Sequence, residues 1–221
     1  DSDAVQTCLD IAFDLSAMGR YEDVISLLEG AIFNCDCNQK KMAYYTLGYY
    51  KFLAGKDGSE EYKKAETAVL GKAYPVRIEE QKILEDVISK INSKTAKMLL
   101  GCLLYNKLHY NKAAELWEQC DDYISRRNLA VAYFSHLNRG EEALQIMKSL
   151  VNERADDEEL LYETVCLMNK MGVAPTDKID LITLHKVTRD DVLTELSKAY
   201  NQAFMPDKAI ETLMSHNFVP C

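Results

Sequence analysis

Cysteine and histidine are the residues of this sequence that could most readily do chemistry. Cys35 and Cys37 are separated by one residue, and such a pair could supply two of the four ligands that a structural zinc site needs. No second pair of cysteines or histidines stands at a comparable spacing in the sequence. The pattern therefore favours a pair of thiols in a loop between helices. It predicts no metal site and no cofactor.

Nucleophilic catalysis would need a histidine beside a cysteine, because the base must reach the thiol. Cys102 and Cys120 stand within apolar helical patterns, which is typical of small core residues. The four histidines stand at predicted helix ends or turns: His109, His136, His185 and His216. Their spacing gives no reason to expect any of them next to a cysteine. The sequence therefore does not predict this class of enzyme.

Carboxylates and phosphate-binding loops are the remaining catalytic signals to consider. The acidic run that includes Asp156 and Asp157 precedes an apolar helical pattern, where negative charge complements the dipole at a helix N-terminus. Carboxylates are spread along much of the sequence, so no one pair indicates acid–base catalysis. A glycine-rich phosphate loop is absent from the sequence. We therefore predict that the chain is not an enzyme.

Composition narrows the possible partners. The chain has 221 residues with a formal net charge of −9, which disfavours nucleic acid because phosphate binding needs a basic surface. No apolar run approaches the roughly 18 residues of a membrane span, so we predict no membrane insertion. The seven cysteines are odd in number and mostly lie in helical patterns, which predicts reduced thiols and a cytoplasmic protein. Because the chain begins with Asp1, we expect it to be part of a longer protein.

The stretch of residues 100–120 carries the clearest structural pattern. Leu100 and Gly101 are followed by a short turn, and Trp117 stands four residues after Ala113. This arrangement resembles a tetratricopeptide (TPR) unit, which is a pair of helices with small residues where the two pack together. Gly101 and Ala113 would let the helices approach closely, while Leu100 and Trp117 would fill the space beside them.

The same small-residue phasing recurs along the chain. The resemblance implies an all-α fold, a right-handed α-solenoid of antiparallel helix pairs with about 12–13 helices, in one domain covering residues 1–221. The approximate units are 3–34, 39–73, 94–120, 123–151, 156–186 and 189–216. The interval from Leu47 to Leu100 exceeds one repeat by about one helix. This predicts an extra helix at 76–91, or a unit whose partner helix is displaced there. The further repeat positions are Gly48, Ala143, Tyr200 and Ala209.

Three local strings resemble a narrower family. They lie at residues 74–80, 99–105 and 216–220, and in this order they are similar to the repeat segment of bacterial proteins that carry a domain of unknown function, DUF5107. That family brings no catalytic residues to these helices. Its β-rich domain looks related to sugars. The resemblance therefore implies an alternative function, an accessory helical module of a larger carbohydrate-active enzyme.

The predicted function is a non-catalytic scaffold that binds a protein, or another domain of its own chain, through a concave surface. In a TPR superhelix this surface is lined by the first helix of each pair. Aromatic residues and methionines occupy these positions in the first half of the chain: Phe13, Met42, Tyr45, Tyr49, Phe52, Met98 and Tyr105. The alternative is that these side chains pack between helices, and the sequence leaves both possibilities open.

Overall fold

The chain is built entirely from helices in the part that the structure describes. The computed structural model describes residues 2–34, 40–70, 74–216 and 218, and these residues form thirteen α-helices and no strand. The prediction of an all-α chain with 12–13 helices is therefore confirmed. None of the described helices is both long enough and apolar enough to cross a membrane. In chain order the helices are α1 (Ser2–Ala17), α2 (Tyr21–Asn34), α3 (Lys41–Leu53), α4 (Ser59–Thr67), α5 (Ile78–Ile91), α6 (Lys94–Asn106), α7 (Tyr110–Trp117), α8 (Tyr123–Ser135), α9 (Gly140–Glu153), α10 (Glu158–Lys170), α11 (Pro175–Thr183), α12 (Asp190–Gln202) and α13 (Pro206–Met214).

Each helix buries one apolar face against its neighbours. In α9, for example, Ala143, Met147, Leu150 and Val151 are buried and recur at the spacing of one helix face, whereas Glu142 is exposed. Helices that follow each other in the chain pack together, as in the pairs α1–α2, α3–α4, α6–α7 and α12–α13. Alternate helices also touch, α1 with α3, α3 with α5, and α10 with α12. This is the neighbour-to-neighbour packing of a helical-repeat protein.

The chain divides into two compact units, residues 1–125 and 126–221. The first contains α1 to α7, and the second contains most of α8 together with α9 to α13. Each predicted repeat range covers two of the observed helices, except that α1 begins one residue before its range and α9 ends two residues after its range. The helix α5 lies alone in the range 76–91. The assignment of residues 1–221 to a single domain stays a prediction.

A residue in the left-handed conformation follows every first helix of a pair. This conformation ends a helix and reverses the chain. We call α1, α3, α5, α6, α8, α10 and α12 A helices for this reason, and the others B helices. The helix α5 also ends at a left-handed residue, Asn92, but the next helix, α6, is another A helix. The helix α5 is therefore an A helix without a B partner. The left-handed residues are Gly19, Gly55, Asn92, Leu108, Asn138, Gly172 and Phe204.

Glycines set how closely A and B helices approach each other. A Cβ atom on Gly58 would lie 2.2 Å from the carbonyl oxygen of Gly48, so α3 meets the start of α4 backbone to backbone. The contact at Gly101 differs, because a Cβ atom there would lie 2.4 Å from Nε1 of Trp117. The indole lies directly on α6, and Nε1 donates a hydrogen bond of 3.1 Å to the carbonyl of Met98. Gly101 therefore makes room for a side chain of α7 rather than for its backbone.

A polar cluster connects α3 to α4 and to the start of α6, with Lys41, Tyr45 and Ser93 buried and Glu66 exposed. The hydroxyl of Tyr45 donates to Oε1 of Glu66, and Oγ of Ser93 donates to the same oxygen at 2.6 Å. Nζ of Lys41 donates to the carbonyl of Ala65 at 2.5 Å. Burial and the hydrogen bond to Glu66 raise the pKa of Tyr45, and burial lowers the pKa of Lys41. Because their polar atoms have partners, Lys41, Tyr45 and Ser93 can be buried without a large penalty.

Candidate partner-binding site

Four of the seven predicted groove residues lie in the protein core. Phe13, Met42, Tyr45 and Met98 are each no more than 5% exposed. They have almost no surface to offer to a partner, so the alternative of packing between helices applies to them. The hydroxyl of Tyr45 is also used inside the protein, in the polar cluster with Glu66.

The other three predicted groove residues, Tyr49, Phe52 and Tyr105, are half-buried. Their rings pack against neighbouring rings of unit 1. The centroid of Phe52 lies 5.5 Å from that of Tyr62, and the centroid of Tyr105 lies 5.7 Å from that of Trp117. Contacts of this kind stabilise the helix pairs and cover part of each ring. A role of these three residues in binding stays a prediction.

A cleft of about 290 Å³ opens between two A helices of unit 2, α8 and α10. The side chain of Val131 is 42% exposed there, and Met147 of α9 contributes a buried apolar surface. Half-buried side chains from both A helices complete the lining, which is largely apolar. They include Phe134, Tyr162 and Cys166.

Charged residues lie at the two ends of this cleft. At one end the guanidinium of Arg127 forms a two-point ion pair with Glu163, in which Nε donates to Oε2 at 2.8 Å and Nη2 donates to Oε1. At the other end Nζ of the exposed Lys170 lies 5.9 Å from the ring centroid of Phe134. The ion pair is internally neutralised, so Lys170 is the cation that the rim can offer to a ligand.

Tyr162 carries a polar group into the cleft. Cys166 stands one turn further along α10, and its interaction with the Tyr162 hydroxyl raises the pKa of that hydroxyl. A tyrosine hydroxyl, with an ordinary pKa of about 10, is protonated at neutral pH. It gives the mostly apolar lining one group that can hydrogen-bond a ligand.

The sequence did not predict this cleft, although two of its residues occupy helix positions equivalent to those of two predicted groove residues. Val131 and Phe134 stand one and four residues after Ala130 in α8. Tyr49 and Phe52 stand one and four residues after Gly48 in α3. The predicted groove lies on helices rich in aromatic residues, but large rings can pack back onto their neighbours. The residue that indicates the cleft is Val131, an apolar residue of moderate size at the position in α8 that corresponds to Tyr49 in α3.

The histidines support helix ends. Nε2 of His216 lies 2.7 Å from Oδ1 of Asp190, and Nδ1 of His185 lies 3.3 Å from the carbonyl oxygen of Ala155. Neither contact involves a cysteine, so these two histidines are not placed to activate a thiol. The cysteines that the structure describes form no disulfide: Cys8, Cys102, Cys120 and Cys166.

The metal hypothesis at Cys35 and Cys37 lies outside the described residues. Among the residues that are described, no cluster of three or more His, Cys, Asp or Glu side chains could hold a metal ion. Asp157, one of the acidic residues weighed above, is the N-cap of α10. Its Oδ1 accepts a hydrogen bond of 3.1 Å from the backbone N–H of Leu160, which is the behaviour expected of a capping carboxylate.

No known protein-family model matches the chain. Among solved structures, pilF of Pseudomonas aeruginosa is 13% identical, with 97% of this chain and 90% of that chain covered and a TM-score of 0.45. A thermophilic TPR protein in Thermus thermophilus is 16% identical over 95% of this chain and 99% of that chain, with a TM-score of 0.40. A tetratricopeptide repeat protein from Parabacteroides merdae is 16% identical over 96% of this chain and 92% of that chain, with a TM-score of 0.36. Function must therefore be inferred from the geometry of this chain.

Proposed function

We propose that the chain is a non-catalytic helical-repeat scaffold that binds another protein, or another domain of its own protein, through the cleft between α8 and α10. The observation that carries this proposal is the apolar lining shared by two neighbouring A helices, in which Val131 is 42% exposed. Soluble proteins seldom expose grouped apolar side chains unless the surface is used for an interaction.

The size of the cleft favours an apolar side chain as the anchor of the partner. An apolar cavity of about 150 Å³ can hold a benzene molecule. A cleft of about 290 Å³ can therefore accept one large aromatic or aliphatic side chain with some of its backbone. The anchor would come from a peptide segment, either an amphipathic helix or an extended strand, lying along the two A helices.

The rim adds a preference for acidic residues near the anchor. Lys170 stands at one end of the cleft, whereas the charge of Arg127 is already matched by Glu163. A carboxylate beside the anchor would meet Lys170. The chain as a whole carries a net charge of −9, so this preference is local, and nucleic acid stays disfavoured as a partner.

A cytoplasmic location is a proposal that rests on the expected reduced thiols. The alternative of an accessory module in a carbohydrate-active enzyme rests on the DUF5107 resemblance. It concerns segments outside this chain.

The test is a comparison of two matched variants, Val131→Asp in the cleft and Val69→Asp at an exposed position of unit 1. The probe is a phage-displayed peptide library selected on the purified wild-type chain. We expect the selected peptides to share an apolar anchor with nearby acidic residues. Val131→Asp should weaken their binding at least ten-fold, because it places a carboxylate against an apolar anchor, and Val69→Asp should not.

Circular dichroism should give the same helix content for both variants. Peptides that bind wild type and Val131→Asp equally would place the interaction elsewhere. Peptides that lose affinity equally in both variants would contradict the proposal in the same way.

A further inference from the structure

Lys178 of α11 is a buried lysine with neutral partners. Its side chain is only 5% exposed, and lysine is rarely buried to this extent unless a carboxylate pairs with it. Nζ donates to Oδ1 of Asn169 at 2.8 Å and to Oε1 of Gln202 at 3.2 Å. Both acceptors are carboxamides, and no carboxylate of the described residues forms an ion pair with Lys178. Its positive charge is therefore not neutralised by direct contact.

A cavity of about 520 Å³ lies beside this lysine, between α10, α11 and α12 of unit 2. Its volume is within the range of small-molecule sites in proteins, roughly 300–1,000 Å³. The charged side chains of its lining are Lys178, Lys198 and Glu195. Both oxygens of Glu195 are already used, Oε1 by Lys198 at 2.7 Å and Oε2 by the amide of Asn169 at 2.8 Å. The lining therefore carries one excess positive charge, at Lys178.

The donors that remain at the cavity suit an oxyanion. A lysine ammonium has three N–H groups, and two of those on Lys178 are accounted for by Asn169 and Gln202. Gln202 uses its oxygen toward Lys178, which leaves its NH₂ group for a ligand. Pro175, the first residue of α11, also lines the cavity, so the positive end of that helix dipole is close by.

We propose that this cavity binds a small molecule through a carboxylate or phosphate group, whose oxygens accept hydrogen bonds from Lys178 and Gln202. The negative charge of the ligand balances the excess positive charge at Lys178. This site does not depend on the partner cleft between α8 and α10, and either proposal can fail without the other.

The test titrates inorganic phosphate, and separately acetate, into the ¹⁵N-labelled chain at an ionic strength held constant with sodium chloride. We expect saturable shifts of the side-chain NH₂ signals of Asn169 and Gln202, together with a rise in melting temperature. The anion with the lower Kd identifies the preferred group. Lys178→Met should raise that Kd at least ten-fold. Lys186→Met removes the same charge at an exposed position outside the cavity and should leave the Kd unchanged.

Methionine at position 178 should preserve the fold, because an apolar side chain of similar length replaces a buried charge. A second variant, Gln202→Leu, keeps the lysine, removes a proposed donor, and should also raise the Kd. The proposal is overturned if neither anion gives saturable shifts beyond those of chloride, or if Lys178→Met binds as wild type does. Equal weakening by Lys186→Met would indicate a general charge effect and would overturn it too.

Discussion

The contact between Gly101 and Trp117 can be tested by adding one methyl group. In Gly101→Ala the new Cβ atom would lie 2.4 Å from Nε1 of Trp117 and 2.8 Å from two other indole atoms, far inside normal contact distance. The indole must move away from α6. Its hydrogen bond to the carbonyl of Met98, now 3.1 Å and buried, would then be lost or distorted.

The expected loss of stability combines three terms. Overpacking a close contact costs about 1–3 kcal/mol, and a buried donor left without its acceptor costs about 1–3 kcal/mol. Replacing glycine by alanine within a helix stabilises the fold by about 1 kcal/mol, because less backbone entropy is lost on folding. The net free-energy change is a destabilisation of about 3 kcal/mol, which corresponds to a melting temperature lowered by about 6–12 °C for a chain of this size.

The assay is a thermal melt followed by circular dichroism and by tryptophan fluorescence. Trp117 is the only tryptophan of the chain, so its emission reports directly on this contact. The matched control is Gly30→Ala within α2, where a Cβ atom would have no neighbour within 4 Å. The same substitution should raise stability there by about 0.5–1 kcal/mol.

The two glycine variants should thus shift the melting temperature in opposite directions. If Gly101→Ala melted at or above the wild-type temperature with unchanged emission, Trp117 would not lie on Gly101. The description of the α6–α7 pair would then be wrong.

Two further predictions concern the left-handed residues at helix ends and the half-buried carboxylate of Glu158. Phe204 has a φ of 59° and a side chain that is 93% exposed, so Phe204→Gly should relieve left-handed strain and raise stability by about 0.5–1 kcal/mol in urea unfolding. Gly172→Ala, at a φ of 68°, should lower stability by about 1 kcal/mol, and a loss of stability in both variants would contradict this account. Burial tends to raise the pKa of Glu158, but hydrogen bonds from Thr188 and Arg189 outweigh it, and the pKa is lowered overall. Its stabilising effect is therefore present above the pKa of an unfolded glutamate, about 4.3, and is lost as the pH falls through the lower folded value. Glu158→Gln should be less stable than wild type at pH 7, with a difference that shrinks below about pH 4, and a difference independent of pH would refute the assignment.

The helical architecture could be predicted because its determinants are local in sequence. The spacing of apolar residues indicates each helix, and Gly48 and Gly101 mark where A helices come close to a neighbour. The interrupted period predicts an extra helix or a displaced partner at 76–91, and α5 lies in this range. The role of α5 as an unpaired A helix could not be predicted in the same way, because it depends on the backbone conformation of Asn92.

The candidate site was harder to predict, since exposure depends on contacts between residues that are distant in sequence. Tyr45 is buried because Glu66 and Ser93 satisfy its hydroxyl, and neither partner is evident from the helical period of α3. The cleft exists where Val131 is too short to cover its neighbours. Helix periodicity identifies the apolar faces of a helix, but it does not reveal which face another element will cover.

The isolated position of α5 has a consequence for cooperativity. Contacts within each unit join helices that are one or two elements apart, so folding can begin in any hairpin and spread to the next. In unit 1, α5 packs against both α3 and α6 and so links the α3–α4 hairpin to the α6–α7 hairpin. This helix and the Glu66–Ser93 hydrogen bond beside it therefore couple the two hairpins. The strength of these contacts determines how far the unfolding of one hairpin destabilises the other.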